Sequence, residues 1–129
     1  MRVRHVGLAT RSLENADRFY GQLLGLRKSE PKTLPAAISR LLFNLDKDFT
    51  VVNYADDTLH FEIFVYNGDS RAFGPPGHVC LEAENLDALV ERCRAMNFPV
   101  VRAPKGEGWI TFIQDDDGNF FEIKELPAS

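Results

Sequence analysis

Cysteine is scarce: Cys80 and Cys93 are the only two in 129 residues. One falls on an expected strand and the other on the apolar stripe of an expected helix, which argues against a disulfide framework. Long apolar runs are missing as well. None approaches the roughly 20 residues of a membrane span, and Met1-Arg2-Val3-Arg4-His5 is polar where a signal peptide needs an apolar core. The expectation is a soluble, cytoplasmic protein without a membrane partner. Positive charge is in short supply too: 15 Lys and Arg face 19 Asp and Glu, a formal charge of −4 with no basic run. A nucleic-acid partner held by electrostatics is therefore not expected.

What the chain does have is repetition. At an offset of 73 residues His5 meets His78, Val6 meets Val79, Leu8 meets Leu81 and Leu13 meets Leu86. At an offset of 60 the far ends agree: Asp56 with Asp116, Asp57 with Asp117, Phe61 with Phe121, Glu62 with Glu122 and Ile63 with Ile123. The offset falls by 13, so the first copy carries an insertion between its helix and its last hairpin. Half-copies of roughly 60 residues would each be marginal alone, and are expected to share one core in a single domain. The expected bounds are 1–67 for the first module, 68–77 for a Gly-, Pro- and Asp-rich linker, and 78–126 for the second. One His and one Glu recur at equivalent places, which is what a metal site on a pseudo-twofold axis would need.

Each copy reads as α+β. In the first, Val3 to Ala9 alternates like a strand, with His5 on the other face from Val6 and Leu8. Ser12 offers an N-cap, and Ala16, Phe19, Tyr20, Leu23 and Leu24 recur at helical spacing up to Gly25, predicting a helix from about Leu13 to Leu24. Within the insertion Ile38, Leu41, Leu42 and Leu45 suit a short amphipathic helix over an edge of the core, while Leu41 to Phe43 would also suit a strand. Phe49 to Tyr54 and Thr58 to Tyr66 form a hairpin about Asp56-Asp57. The second copy runs from a strand at His78 to a helix capped by Asn85 with Leu86, Leu89, Val90, Cys93 and Met96 in one stripe. A strand at Val100 to Ala103 and a hairpin of Trp109 to Gln114 with Asn119 to Glu125 follow. The acidic run Asp115 to Asp117 with Gly118 lacks the alternating ligands and terminal Glu of a calcium loop, so it reads as a turn.

The runs HVGLATRSLENADRFYGQLLGL, GHVCLEAENLDALVERCRAMNFPV and FIQDDDGNFFEIKE resemble the vicinal oxygen chelate superfamily, which includes glyoxalase I, bleomycin-resistance proteins and extradiol dioxygenases. The resemblance covers nearly the whole chain. It implies two tandem βαβββ modules forming a curved mixed sheet around a metal-binding cup, usually in a homodimer. Matched by position, it implies that His5, Glu62, His78 and Glu122 ligate a divalent metal ion. Imidazole and carboxylate donors suit Ni, Zn, Co, Fe or Mn, and four of them leave room on a six-coordinate ion for two substrate oxygens.

The His, Glu, His, Glu order is similar to that of bacterial glyoxalase I. By that likeness the expected reaction on a small-molecule substrate is a lactoylglutathione-lyase-like isomerisation, with Glu122 or Glu62 moving a proton through an enediolate. Two thiol-binding positions depart from that pattern. Ala9 stands where an Arg is expected, with Arg11 on the same strand face if the strand continues, and Tyr66 stands where an Asn is expected. The alternatives are a non-catalytic, bleomycin-resistance-type binding dimer or another family reaction such as that of an epimerase or dioxygenase. His60 shares a strand face with Glu62, and Cys80 one with His78. Phe49, Trp109 and Phe120 are candidate apolar lining, and His60 and Arg11 candidate polar contacts, for the substrate pocket. Taken singly, each of these aromatics is more often ordinary core, a His at a strand start more often a hydrogen-bonded surface or core residue, and a Glu on a strand more often solvated.

Overall fold

Val6, Leu8 and Thr10 alternate with Gly7 and Ala9, and the first three pack inward, making β1 (Val6–Thr10) a strand buried on one face. The computed structural model describes residues 2–66 and 77–127. The chain divides into two compact units, Met1–Ala72 and Phe73–Ser129. The linker expected over 68–77 lies, apart from Gly77, outside the described residues. Among the described residues no helix is long and apolar enough to cross a membrane.

In the first unit Ser12 caps α1 (Leu13–Ala16), its hydroxyl accepting from the Asn15 N–H at 3.1 Å. The helix continues directly as a π-helix over Asp17–Leu23 and ends in a Leu24 N–H to Phe19 carbonyl bond of 3.0 Å, with Gly25 beyond at φ 71°. Helical spacing predicted the element but not its wider turns. Ala16, Phe19, Tyr20 and Leu23 are buried. Tyr20 lies 5.3 Å from Phe61 and 5.6 Å from Tyr54, ring centre to ring centre. Full burial of such side chains is worth about 1.5–3 kcal/mol each, so this helix-on-sheet layer holds the unit together.

The sheet runs β1, β5 (His60–Val65), β4 (Phe49–Ala55), then an edge made of β2 (Arg27–Lys28) and β3 (Lys32–Leu34). β1 and β5 are parallel and the other pairs antiparallel. The β2 and β3 registers against β4 differ by one residue, which makes the stretch between them a bulge. Ser29 bridges it: its N–H donates to the Asn53 carbonyl at 2.8 Å and its hydroxyl accepts from the Asn53 N–H at 3.0 Å. Sequence reading missed this edge because its residues are short, charged and interrupted by Pro31.

The insertion does form a helix, α2 (Ala36–Phe43), with its first N–H donating to Asp48 Oδ1 at 2.7 Å and Asn44 closing it in the left-handed region. Its packing departs from expectation. The buried residue is Ser39, while Ile38, Leu41, Leu42 and Phe43 are exposed, Leu41 to 84 %. The apolar side of α2 faces outward rather than capping the core.

The second unit repeats the plan without the insertion. Its sheet order is β6 (Val79–Ala83), β9 (Phe120–Glu125), β8 (Gly108–Gln114), β7 (Val100–Lys105), with β6 and β9 parallel. Asn85 caps α3 (Leu86–Ala95) by accepting from the Ala88 N–H at 3.0 Å, and Glu125 accepts from the Leu86 N–H at 2.8 Å. Leu89, Val90 and Cys93 are buried, as are Leu81, Ile113, Phe121 and Ile123 on the strands. Pro104 is tolerated because β7 pairs on one side only. The Asp115 carboxylate is taken up by its own turn, accepting from the N–H groups of Asp117 and Asn119 and from Asn119 Nδ2. The acidic run is a turn, as expected. The fold is thus α+β, two βαβββ modules with a mixed sheet in each.

Candidate functional site

Both histidines sit one residue ahead of a strand. Val3 to His5 precede β1 rather than forming its start, which corrects the expected boundary, and His78 precedes β6 in the same way. In the β1–β5 ladder Gly7 pairs with Glu62, and in the β6–β9 ladder Cys80 pairs with Glu122. Each His therefore lies two residues before the partner of its Glu and projects to the same face of the sheet. His5 Nε2 lies 3.8 Å from Glu62 Oε1, and His78 Nε2 lies 3.3 Å from Glu122 Oε1. Two ladders of the same register have built the same pair twice.

Both separations exceed a good hydrogen bond. They match two donors sharing an ion, since ligands about 2.1 Å from a cation and roughly 90–130° apart are about 3.0–3.8 Å from each other. The imidazole and carboxylate donors thus fit a divalent metal in kind and in spacing. Among the described residues no group of three or more His, Cys, Asp or Glu is gathered closely enough to hold an ion. Each unit by itself brings together one His and one Glu.

Around the first pair, His60 Nε2 lies 2.7 Å from Asn53 Oδ1, and its ring is centred 5.5 Å from that of His5. An amide oxygen only accepts, so Nε2 is the donor in this contact. Asn53, which pairs with Glu62 across β4 and β5, was not singled out from the sequence; register between strands is not written in either strand alone. A pocket of about 360 Å³ opens on this face, lined by Glu62, Asn53, Phe64, Val51, Lys32, Thr33 and Leu34 from the sheet and by Leu42 and Phe43 from α2. Phe49 is buried beside it, edge-on to Phe64 and Tyr66, while Lys47 lies over the Phe49 and Tyr66 rings and donates to the Tyr66 carbonyl. Arg11 is exposed and lies past the end of β1 at Thr10, so the strand does not carry it onto this face.

Around the second pair, the Phe112 ring stands edge-on to His78 at 5.1 Å and pairs with Glu122 in the ladder. Phe120 contacts Phe112 from the same face. Lys124 Nζ is 4.0 Å from the other Glu122 oxygen. The slight burial of the exposed Cys80, then the Glu122 charge, pushes its thiol up. Trp109 alternates onto the opposite face from Glu122, 60 % exposed and under the Arg102 guanidinium, so it does not line this site.

Two sheets of this topology, each entered through a histidine and carrying a glutamate on its last strand, define a small α+β protein built of paired βαβββ modules. The chain belongs to the Glyoxalase/Bleomycin resistance protein/Dioxygenase superfamily, which matches residues 2–123. No curated protein sequence matches it. Among solved structures it is similar to a glyoxylase/bleomycin resistance protein/dioxygenase domain from Frankia sp. EAN1pec, with a TM-score of 0.74 and 19 % identity over 100 % of this chain and 94 % of that one. It is also similar to the trypanothione-dependent glyoxalase I of Leishmania major, at TM-score 0.62 and 20 % identity, covering 97 % and 86 %. A variant of the fosfomycin resistance protein FosX from Listeria monocytogenes, complexed with Mn(II) and 1S,2S-dihydroxypropylphosphonic acid, matches at TM-score 0.69 and 18 % identity, covering 98 % and 90 %. At these identities the structures establish a shared fold.

Proposed function

We propose that this protein is a divalent-metal-dependent, glyoxalase-like enzyme, with His5, Glu62, His78 and Glu122 as the metal ligands. The observation that carries the reading is the recurrence of the His–Glu pair, at 3.8 and 3.3 Å, in identical ladder positions of the two units. A bound dication would supply Lewis-acid polarisation of a substrate carbonyl. The two carboxylates would neutralise that charge and the two imidazoles would complete the protein's donor set. One carboxylate, Glu122 or Glu62, takes the proton from the carbon next to the carbonyl and returns it to the neighbouring carbon. His60, held by Asn53, steadies the face on which that exchange occurs. The complex of a FosX variant with Mn(II) and 1S,2S-dihydroxypropylphosphonic acid supports a fold that takes a divalent metal and a small oxygen-rich molecule together. A homodimer belongs to the reading, because an open sheet rim in one module is best covered by another.

The test is a metal analysis of protein purified without added metal, followed by a screen of 2-oxoaldehydes with thiols in Ni, Zn, Co and Mn. About one ion per site with turnover supports the enzyme. Binding of small molecules with neither metal nor turnover points to a sequestering protein of the bleomycin-resistance kind.

A further inference from the structure

The two modules are not equivalent in what surrounds their His–Glu pairs. The insertion in the first provides α2, whose Leu42 and Phe43 line the pocket that ends on Glu62 and Asn53; the second module passes from β7 to β8 through a tight turn at Gly106-Glu107. Ladder registers order the pocket floor. Glu62 and Asn53 form one row across the sheet, and Phe64, Val51 and Lys32 form the next, two residues along. The floor thus steps from the carboxylate and amide of one row to the next, where Phe64 and Val51 lead across to Lys32, with Leu34 beyond it and Leu42 and Phe43 added from α2. Strand spacing puts the Cα atoms of Glu62 and Lys32 about 12 Å apart. Among the described residues no carboxylate pairs with Lys32. The outward-facing apolar side of α2 leaves Leu42 and Phe43 exposed to water, at 64 % and 49 %, a cost a ligand lying against them would remove.

We propose that the first module's insertion makes a specificity pocket for a substrate with an apolar body, such as one aromatic ring, between its vicinal oxygens and an anionic tail held by Lys32. The orientation follows from charge. At the Glu62 end the ligand carboxylates offset the dication's charge and the vicinal oxygens occupy the site, whereas at the other end an anionic tail meets the Lys32 ammonium. The proposal deepens the function given above and rests on it for the chelated end alone; the hold on body and tail is a property of the pocket.

Calorimetric titration with two probes tests it: para-carboxyphenyl hydroxymethyl ketone, which has vicinal oxygens, a ring and a carboxylate, and uncharged phenyl hydroxymethyl ketone. Each is titrated into Zn-loaded and EDTA-treated full-length protein. A charge-assisted contact predicts that the carboxylated probe binds about tenfold tighter. Lys32→Gln brings the two probes within about twofold of each other, and Phe43→Ala weakens both by roughly tenfold with an unchanged circular dichroism spectrum. Equal affinities in the native protein, no binding of either probe, or a preference that survives Lys32→Gln would overturn the pocket. Preference that persists with no gain from Zn leaves the pocket standing and counts against the metal reading. Tighter binding with Zn supports both.

Discussion

Gly7 faces Phe64 so closely that a Cβ added to it would lie 3.3 Å from the ring's Cε2. The ring cannot simply swing away, because Phe43 and Phe49 stand edge-on to it at 5.6 and 6.0 Å. Gly7→Ala should therefore push Phe64 toward the pocket, destabilising the fold by about 1 kcal/mol and raising KM several-fold with little change in kcat. A thermal melt and steady-state kinetics check this; an unchanged KM would mean the ring does not border the bound substrate.

Removing the charge of either carboxylate proposed as a ligand separates chemistry from folding. Glu122→Gln and Glu62→Gln should each lower metal content and reduce turnover by at least about 10²-fold, with melting temperature and far-ultraviolet circular dichroism retained, because both side chains lie on the face away from the helix-packed core. Full turnover in Glu122→Gln would remove that carboxylate from the mechanism.

Tyr54 ties the sheet to the helix by donating its hydroxyl to Asp17 Oδ1 at 2.6 Å, with Lys28 Nζ 3.1 Å from the same oxygen. Burial, then the Asp17 hydrogen bond and charge, raises the phenol well above its usual value near 10. A raised pKa in the fold means stability that is complete below pH ~10 and declines above it, as the unfolded chain ionises first. Tyr54→Phe should cost about 1–2 kcal/mol at neutral pH and flatten the alkaline limb. Urea titrations at pH 7 and above pH 10 measure both effects.

Asp115 is buried and accepts three hydrogen bonds within its own turn. Asp115→Ala should destabilise the second unit by about 2–4 kcal/mol. Added calcium should leave the melting temperature of the native protein unchanged, since the carboxylate is committed to its turn. A calcium-dependent rise would show that the acidic run binds the ion after all.

How far the sequence reveals this protein depends on which contacts are local. Duplication could be read directly, because His5, Glu62, His78 and Glu122 recur at matching offsets, and the caps at Ser12 and Asn85 announced both helices. The ladders supply what one-dimensional reading lacks. Asn53 stands beside Glu62, Phe112 beside Glu122, and Lys32 at the far end of a row from Phe64, only once strands are set side by side. Trp109 looked like pocket lining because aromatics often are, yet strand parity turns it to the other face. Helical periodicity in α2 correctly gave its type and wrongly gave its packing: a stripe of Ile38, Leu41 and Leu42 looks the same whether it meets a core or faces outward. The π-helical turn after Ala16 left no mark at all, since Phe19, Tyr20 and Leu23 suit either winding.

The bulge closed by Ser29 and the proline at position 104 share one outcome. Each breaks the even row of donors and acceptors that an incoming peptide would need along that border of its sheet. Neither sheet can be extended there by copying itself onto a neighbour, so fibre-like polymerisation is discouraged even at high concentration in a crowded cell.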